Sequence, residues 1–265
     1  MALSISKAWD ETKAILARDG RLIGAVALAL FVLPGLVLDM IMPATAPGTM
    51  PPAGPWVAVA LVVGFVSLAG QLAMIRLAMG PQLTVAEAIM HGVRRFAAYF
   101  GAVLIWLLPI VVIGFVLVGQ ILANPANPQP LVALGLIILT VVLAYFSVRF
   151  CLNSAVASAE AASPLDILRR SWALTAGHWW KLFGFVFLFG LAVLALLFAV
   201  EAVTGILAKL VLGGTEQGSV GGLLIALVSQ AVSAAAYSTF FVMLARIYVQ
   251  LAGKGAVVGV PNSGT

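Results

Sequence analysis

Six long apolar segments constrain the fold of this chain more than any other feature. They cover residues 22–42, 56–79, 97–123, 131–155, 182–200 and 220–245. A helix that crosses a bilayer needs about 20 mostly apolar residues, and each segment approaches or exceeds that length. Only 9% of the residues are charged, against roughly 25% in soluble domains. The sequence therefore predicts an all-α membrane protein with six transmembrane helices.

The lysine and arginine residues predict how these helices are oriented. The connections PATAPGTMPPAGP, NPANPQP and GGTEQGSVGG are rich in Pro or Gly and contain no basic residue. Of the 14 basic residues, all except Lys209 fall on the other side of the predicted spans. Cytoplasmic loops of membrane proteins carry the excess of Lys and Arg. We therefore expect a multi-pass protein of the bacterial inner membrane, with both termini cytoplasmic and the 43–55, 124–130 and 213–219 connections outside.

The chain also repeats one plan three times. The predicted single membrane domain, 1–253, divides roughly into units 1–80, 81–160 and 161–253 and is followed by a flexible cytoplasmic tail, 254–265. Each unit would be a cytoplasmic amphipathic interfacial helix followed by a helical hairpin. Thr84 with Glu87 forms a capping box, and Ser163 with Asp166 forms a close variant. The stripes at helical spacing are Ile5, Trp9, Thr12 and Leu16; Val85, Ile89, Val93 and Phe96; and Leu165, Leu168 and Trp172.

Kinks are expected in the odd-numbered spans of these units. Pro34 lies in the first span and Pro109 in the third, whereas the fifth span has Gly190 in the comparable region. Neighbouring helices or waters can satisfy the carbonyl groups that such a kink frees, so the residues are compatible with a membrane location.

The segment SPLDILRRSWALTAGHWWKLFG, residues 163–184, joins a charged helix to an apolar span. We expect Leu165, Leu168 and Trp172 to dip into the acyl boundary, while Arg169 and Arg170 face water and anionic headgroups. We expect Trp179, Trp180 and Lys181 to lie at the level of the lipid headgroups. The segment therefore predicts an interfacial helix that bends into a spanning helix.

Two hypotheses account for these basic and aromatic residues. In the favoured one they are topology signals, each attracted to anionic lipid by about 1 kcal/mol. In the other, Arg169 and Arg170 form a specific phosphate or headgroup site. The candidate headgroup contacts are Arg94, Arg95, Arg169, Arg170, Lys181, Trp172, Trp179 and Trp180. The expected partners are anionic membrane lipids and a protein partner or second copy of the chain, and nucleic acid is not expected.

One element of this segment resembles a known family. The pattern of Ser171, Trp172, Leu174 and Thr175 ahead of a span is similar to the membrane domain of glycerophosphodiester phosphodiesterases and the related YciC-like bacterial integral membrane proteins. The six-span layout with amphipathic connectors is also similar, over most of residues 1–250. The resemblance implies a helical membrane module. In the phosphodiesterases a separate soluble barrel performs catalysis, and because this chain ends at residue 265 without one, we do not expect that activity.

Few residues could support catalysis or metal binding. His91 and His178 are the only histidines and Cys151 is the only cysteine, whereas a metal site needs several converging ligands. Cys151 is interpreted as a small buried residue. The motifs GxxxxGK(S/T), HExxH and GxSxG do not occur. We therefore expect no catalytic residues, no metal and no cofactor.

Polar residues inside the spans form the remaining candidate site. Gln71, Gln230 and Glu201 are its candidate members. Helix–helix packing is the favoured role for the two glutamines, because hydrogen bonds between helices in lipid use such side chains. A transport path usually shows a broken helix or paired charges at the midplane, and the sequence indicates neither.

Glu201 itself allows two placements. If the fifth span ends near residue 200, the carboxylate lies at the outer interface and 202–212 forms a short surface helix. If the span continues, the carboxylate is buried and needs a partner. The first placement is favoured because 182–200 is nearly long enough to cross the bilayer. Asp39, near the end of the first span, presents the same choice with the same favoured answer.

The favoured function is a non-catalytic polytopic inner-membrane scaffold or accessory module that interacts with lipids or protein partners. The alternative is a transporter or channel for a small solute or lipid, which a water-filled cavity reaching Gln71, Gln230 or Glu201 would favour. A membrane enzyme is least favoured, because the chain contains few groups able to transfer protons.

Overall fold

A computed structural model describes residues 3–43, 51–80, 83–123, 129–212, 214 and 219–253. All regular structure within these ranges is helical. The helices are α1 (Ile5–Ala27), α2 (Leu33–Ile41), α3 (Trp56–Met79), α4 (Val85–Ala123), α5 (Pro130–Arg149), α6 (Asn153–Ala159), α7 (Pro164–Thr175), α8 (Trp179–Leu212) and α9 (Val220–Ala252). A π-helical segment, Leu28–Val32, joins α1 to α2. The predicted tail, 254–265, and most of the predicted outer connections lie outside the described residues.

Six helical stretches are long and apolar enough to cross a membrane, which confirms the helical fold class and the predicted number. They are Ile5–Ile41, Trp56–Met79, Val85–Ala123, Pro130–Ala159, Trp179–Val211 and Val220–Ala252. Several are longer than expected. The 39 residues of α4 measure roughly 58 Å at about 1.5 Å per residue, nearly twice the hydrocarbon thickness. The extra length arises because the amphipathic segment continues directly into the span.

Only in the third predicted unit does a turn separate the expected interfacial helix from the long apolar helix that follows it. Helix α7 ends at Thr175 and α8 begins at Trp179, after a turn in which Gly177 has φ +76°. A residue with a Cβ is strained in that left-handed conformation, so glycine is suited to the joint. In the first two units the amphipathic segment and the span form unbroken helix instead.

The residues predicted to cause kinks behave differently from one another. Pro34 follows the π-helical segment Leu28–Val32. A proline ring crowds the carbonyl of the residue four positions earlier, and a wider turn there relieves the crowding. Pro109 and Gly190 lie within the unbroken helices α4 and α8.

The packed core lies at one end of the molecule, which we call the basic end. The basic end comprises α6, α7 and residues 5–19 of α1, 70–79 of α3, 85–99 of α4, 146–152 at the end of α5, 179–185 of α8 and 238–252 of α9. Almost every residue of 70–79 and all of 153–158 are buried. The opposite half, the apolar end, comprises α2 and residues 56–69, 104–123, 131–145, 187–211 and 220–237. Its large apolar side chains are mostly exposed on the protein surface, as expected for contact with lipid.

The most extensive helix pair joins two of the predicted units. Helices α3 and α4 form the most extensive pair, followed by α8 with α9 and α1 with α9. At Gly92 of α4, an added Cβ would collide with the carbonyl oxygen of Ala69 on α3. Small residues let helix backbones approach closely in membrane proteins. Packing therefore crosses the predicted unit boundary at residue 80.

The buried faces of the amphipathic segments differ from the predicted stripes. Leu168, expected in the acyl boundary, is only 8% exposed and lies in the protein core. On α4, Val93 is 56% exposed, while Ala88 and Gly92 face the protein. The face of α4 that packs against α3 contains small residues, because they permit the close approach of the two helices.

Candidate functional site

The chain breaks its fourth apolar stretch at the basic end, between α5 and α6. Helix α5 ends at Arg149, whose carbonyl has no partner within its own helix. Two hydroxyl groups of α7 reach that oxygen. Ser171 Oγ donates to it over 3.0 Å, and Thr175 Oγ1 lies 3.2 Å away. These residues, spaced one helical turn apart, fasten α7 to the end of α5.

The side chain of Arg149 lies between two aromatic rings. Its Nε donates to the Tyr145 hydroxyl over 3.1 Å, and its guanidinium carbon lies 4.5 Å from the Trp172 ring centroid. The Tyr145 centroid is 5.5 Å away. Such cation–π contacts contribute about 0.5–1 kcal/mol when exposed and more when desolvated. The Nη1 atom of Arg149 is buried and has no hydrogen-bond partner.

The tryptophans predicted at the headgroup level belong to one aromatic cluster beside Arg149. Trp179 Nε1 donates to the Tyr145 carbonyl over 3.4 Å, and its ring stacks on Phe183 with centroids 5.0 Å apart. Trp180 meets Trp179 edge to face at 4.7 Å. The aromatic cluster consists of Tyr145, Phe146, Phe150, Trp172, Trp179, Trp180, Phe183 and Phe187. It joins α5, α7 and α8 on one side of the molecule.

A carboxylate just after α6 joins two other helices. Arg170 Nε of α7 donates to Glu160 Oε1 over 3.0 Å, and the Tyr248 hydroxyl of α9 donates to the same oxygen over 2.7 Å. The Arg170 and Glu160 side chains are partly exposed, so the ion pair alone contributes little. The shared oxygen nevertheless specifies how α7 and α9 meet the end of α6.

Arg95 of α4 caps the C-terminal end of α6. Its guanidinium donates to the carbonyls of Ala157 over 2.9 Å, of Ala162 over 3.3 Å and of Glu160. The last carbonyl groups of a helix lack partners in the helix and carry partial negative charge. A cation there donates hydrogen bonds to these carbonyls and balances their charge. Nearby, His91 Nε2 lies 2.9 Å from the Ser158 carbonyl. Residues of α4 thus hold α6 in place.

The eight predicted headgroup contacts divide into three groups. Arg94, Arg169 and Trp180 face outward, and the last two are 80% (side chain) and 78% exposed. Three others donate hydrogen bonds inside the protein: Arg95 and Arg170 as described, and Lys181 to the Leu3 carbonyl over 3.3 Å. The remaining two, Trp172 and Trp179, lie in the aromatic cluster, to which the exposed Trp180 also belongs. Of the basic residues among these predicted contacts, Arg94 and Arg169 are therefore more available to a ligand than Arg95, Arg170 and Lys181.

The candidate intramembrane residues do not converge on one site. The Tyr99 hydroxyl donates to Gln71 Oε1 over 3.3 Å, and Gln230 Nε2 donates to Asp39 Oδ2 over 2.9 Å. Glu201 is exposed on α8. The two glutamines therefore serve separate helix pairs, α3 with α4 and α2 with α9.

One expectation for the acidic residues is corrected. The separate surface helix expected at 202–212 does not form, because nothing after Glu201 interrupts α8 before Leu212. Glu201 is exposed on the surface of α8. Asp39 accepts a hydrogen bond from Gln230, and its expected place at the outer interface stays a prediction.

Four structurally important residues were missed or undervalued in the sequence. Glu160 is the only acid between Glu87 and Asp166, and that isolation was an available signal. Ser171 and Thr175 are spaced four residues apart on either side of Trp172, which is typical of hydroxyl groups on one helix face. Tyr248 gave no signal, because its role depends on where α9 meets α6. Within the described residues, no three His, Cys, Asp or Glu side chains converge as metal ligands would.

One protein family matches nearly the whole chain. No curated protein and no solved structure matches the chain. A family model described as a domain of unknown function, DUF7847, matches residues 3–251. This range includes all six long apolar helices apart from the last residue of α9. The chain therefore belongs to the DUF7847 family.

Proposed function

We propose that the protein is a non-catalytic scaffold or accessory module of a bacterial inner membrane, which interacts with phospholipids or with a protein partner. The observation that carries this proposal is the use of the polar side chains at the basic end. The Ser171 hydroxyl, the Arg95 guanidinium and the Glu160 carboxylate each bond to another part of the chain. Polar groups used in this way hold helices together and leave few free for chemistry.

In this proposal the basic end faces the cytoplasm. The near absence of Lys and Arg from the other side supports that orientation. The spans would form three hairpins, and contacts of α2 with α3, α4 with α5, and α8 with α9 support this. The first turns of α1 and α4, together with α7, would lie at the inner membrane surface.

We further propose that the resemblance to the membrane domain of glycerophosphodiester phosphodiesterases and to YciC-like proteins reflects a common membrane module. The contacts of the resembling element support this proposal. Ser171, Trp172 and Thr175 all contact Arg149, and Leu174 packs against the core. The pattern thus holds α7 against the end of α5, and a related module with the same helix contact would need the same residues.

One observation supports the transporter hypothesis. Asp39 pairs with Gln230 in the apolar end, and ionisable residues within membrane spans frequently mark ion or substrate paths. Gln71, however, bonds to Tyr99 instead, and Glu201 is exposed. A path joining the three predicted polar residues is therefore not supported by their contacts, and the scaffold remains the preferred proposal.

Cysteine labelling tests the proposed orientation. Single cysteines at Ala53 and at exposed Ala161 would be introduced into a Cys151→Ser background and treated with a membrane-impermeant reagent on spheroplasts. We expect labelling at position 53 in intact spheroplasts and at position 161 only after lysis. The opposite pattern would reverse the proposed topology.

Reconstitution tests the proposed function. The protein would be purified in nanodiscs, its retained phospholipids quantified by mass spectrometry, and solute and ion flux measured in proteoliposomes. We expect retained anionic phospholipid and a flux equal to that of protein-free vesicles. A flux that Asp39→Asn abolishes would contradict the scaffold proposal and favour transport.

A further inference from the structure

Arg149 is a fixed cation without an anion. No carboxylate of the described residues lies within ion-pair distance of its guanidinium, although the structure contains five other ion pairs. Its one side-chain hydrogen bond goes to the neutral hydroxyl of Tyr145. The Nη1 atom is buried without a partner, and no described residue accepts a hydrogen bond from Nη2. Because Arg149 as a whole is partly exposed, its guanidinium has donors free for an external anion.

The acids of the basic end are already engaged elsewhere. The ion pairs are Asp10 with Lys13, Glu11 with Arg246, Asp19 with Arg18, Glu160 with Arg170, and Asp166 with Arg169. Glu87 accepts from its own capping partner, Thr84. A partly buried charge without a counterion is unfavourable. The balancing charge for Arg149 must therefore come from outside the described chain.

The position of Arg149 indicates the source of that anion. It is the last of the 20 residues of α5, Pro130–Arg149, which span about 29 Å at 1.5 Å per residue. That length matches the hydrocarbon core of a bilayer, roughly 30 Å thick. When α5 crosses the membrane, Arg149 lies at the level of the lipid phosphates, and the tryptophans of the aromatic cluster lie where such residues usually anchor.

Apolar surface leads away from Arg149 into the membrane. On α5, Val141 and Ile138 lie one and two turns below Tyr145, and both are exposed. On α8, which packs beside α5, Phe187 and Leu191 are exposed below Trp179 and Phe183. An acyl chain covers such a surface well, whereas a free phosphate or an acidic peptide would leave it unused.

We propose that Arg149, held by Tyr145 and Trp172, binds the phosphodiester group of one anionic phospholipid, whose acyl chains lie along α5 and α8. This proposal rests on the membrane placement in the proposed function and adds a specific ligand site to it. The guanidinium suits a phosphodiester because it donates in a planar fork and is always charged. An anionic headgroup is favoured over a zwitterionic one, because no described acid lies beside Arg149 to bind an ammonium group.

The test compares Arg149→Gln with Arg169→Gln, which removes an equal charge from a highly exposed site on α7. Purified protein in mild detergent would be titrated with brominated phosphatidylglycerol or brominated phosphatidylcholine, and quenching of tryptophan fluorescence measured. We expect wild-type protein to prefer phosphatidylglycerol. Arg149→Gln should weaken its binding about tenfold, and Arg169→Gln should change it less than about twofold.

Arg149→Lys distinguishes a loss of lipid binding from a loss of folding, because it keeps the positive charge over Trp172. We expect its melting temperature to match the wild type and its phosphatidylglycerol affinity to fall at least about threefold, because an ammonium lacks the planar fork. Inorganic phosphate at tens of millimolar should not displace the lipid. Equal displacement by phosphate, or wild-type affinity in the lysine variant, would overturn the lipid site.

The outcomes also separate this site from the proposed function. If Arg149→Gln binds like the wild type while Arg169→Gln or Arg94→Gln binds weakly, lipid binding stands and the Arg149 site is wrong. If wild-type protein shows no lipid preference and retains neither phospholipid nor partner in nanodiscs, both proposals fail.

Discussion

The basic end and the apolar end contain segments of the same helices but are held together in different ways. At the basic end, Arg95 caps α6, and Ser171 fastens α7 to α5. At the apolar end, α4 and α8 project large exposed apolar side chains, including Phe115 and Phe198. Among the described residues there, Gln230 with Asp39 is the side-chain pair that joins two helices by a hydrogen bond. Specific polar contacts therefore concentrate where the chain meets water, while the lipid-facing half depends on apolar surface.

The largest contrast is expected from one substitution made at both ends of α4. Gly92→Ala should destabilise the protein by about 3 kcal/mol, because its Cβ collides with backbone of α3 that cannot move aside cheaply. Gly119→Ala should be neutral or stabilise the helix by up to about 1 kcal/mol, since nothing lies within 4 Å of its Cβ. Unfolding in mixed micelles titrated with SDS measures both. Equal effects would remove the distinction between the two ends.

The arginine pair on α4 sharpens the comparison within the basic end. Arg95→Gln should cost about 2 kcal/mol, because it leaves carbonyls at the end of α6 without their charged donor. Arg94→Gln, on the exposed face next to it, should change stability by less than about 0.5 kcal/mol. The same unfolding titration applies. A costly Arg94 variant would mean that exposed charge, and not capping, stabilises this end.

A smaller effect is expected at the carboxylate that joins α7 and α9. Tyr248→Phe removes one hydroxyl that donates to Glu160 and should cost about 1 kcal/mol. Tyr237→Phe on the same helix, in the apolar end where the side chain is exposed, serves as the control and should have almost no effect. Melting temperatures in detergent, followed by size-exclusion chromatography, would rank the two. A larger loss of stability in Tyr237→Phe than in Tyr248→Phe would contradict the proposed contrast between the basic end and the apolar end.

The smallest effect is expected at Glu201. Glu201→Gln should change stability by less than about 0.5 kcal/mol, because the side chain is exposed on α8. It should also leave lipid retention unchanged. A loss of stability comparable to that of Arg95→Gln would show that the apolar end contains a polar contact on which folding depends.

Sequence reasoning succeeded where the answer depended on one segment at a time. The number of long apolar helices follows from the length and composition of each stretch, and the capping of α7 by Ser163 follows from four neighbouring residues. Glu87 likewise accepts from the backbone N–H of Thr84, as the capping box predicted. These features need no knowledge of how the helices pack.

The candidate site was harder to predict because it depends on which helix ends meet. Arg95 and Arg94 are indistinguishable in the sequence, yet only Arg95 faces the end of α6. The break after Arg149 was also hidden, since residues 131–155 read as one apolar span. Leu168 was misplaced for a related reason, because its burial depends on how α7 packs against the core.

The unbroken course of α4 has a mechanical consequence. About 12 of its residues precede the predicted span, and they form an arm roughly 18 Å long. Because no turn separates arm and span, tilting the span by about 10° would swing the tip of the arm by roughly 3 Å. Helix α7 has no such lever, since the turn at Gly177 separates it from α8. A change in bilayer thickness would therefore shift the first turns of α4 and leave α7 in place.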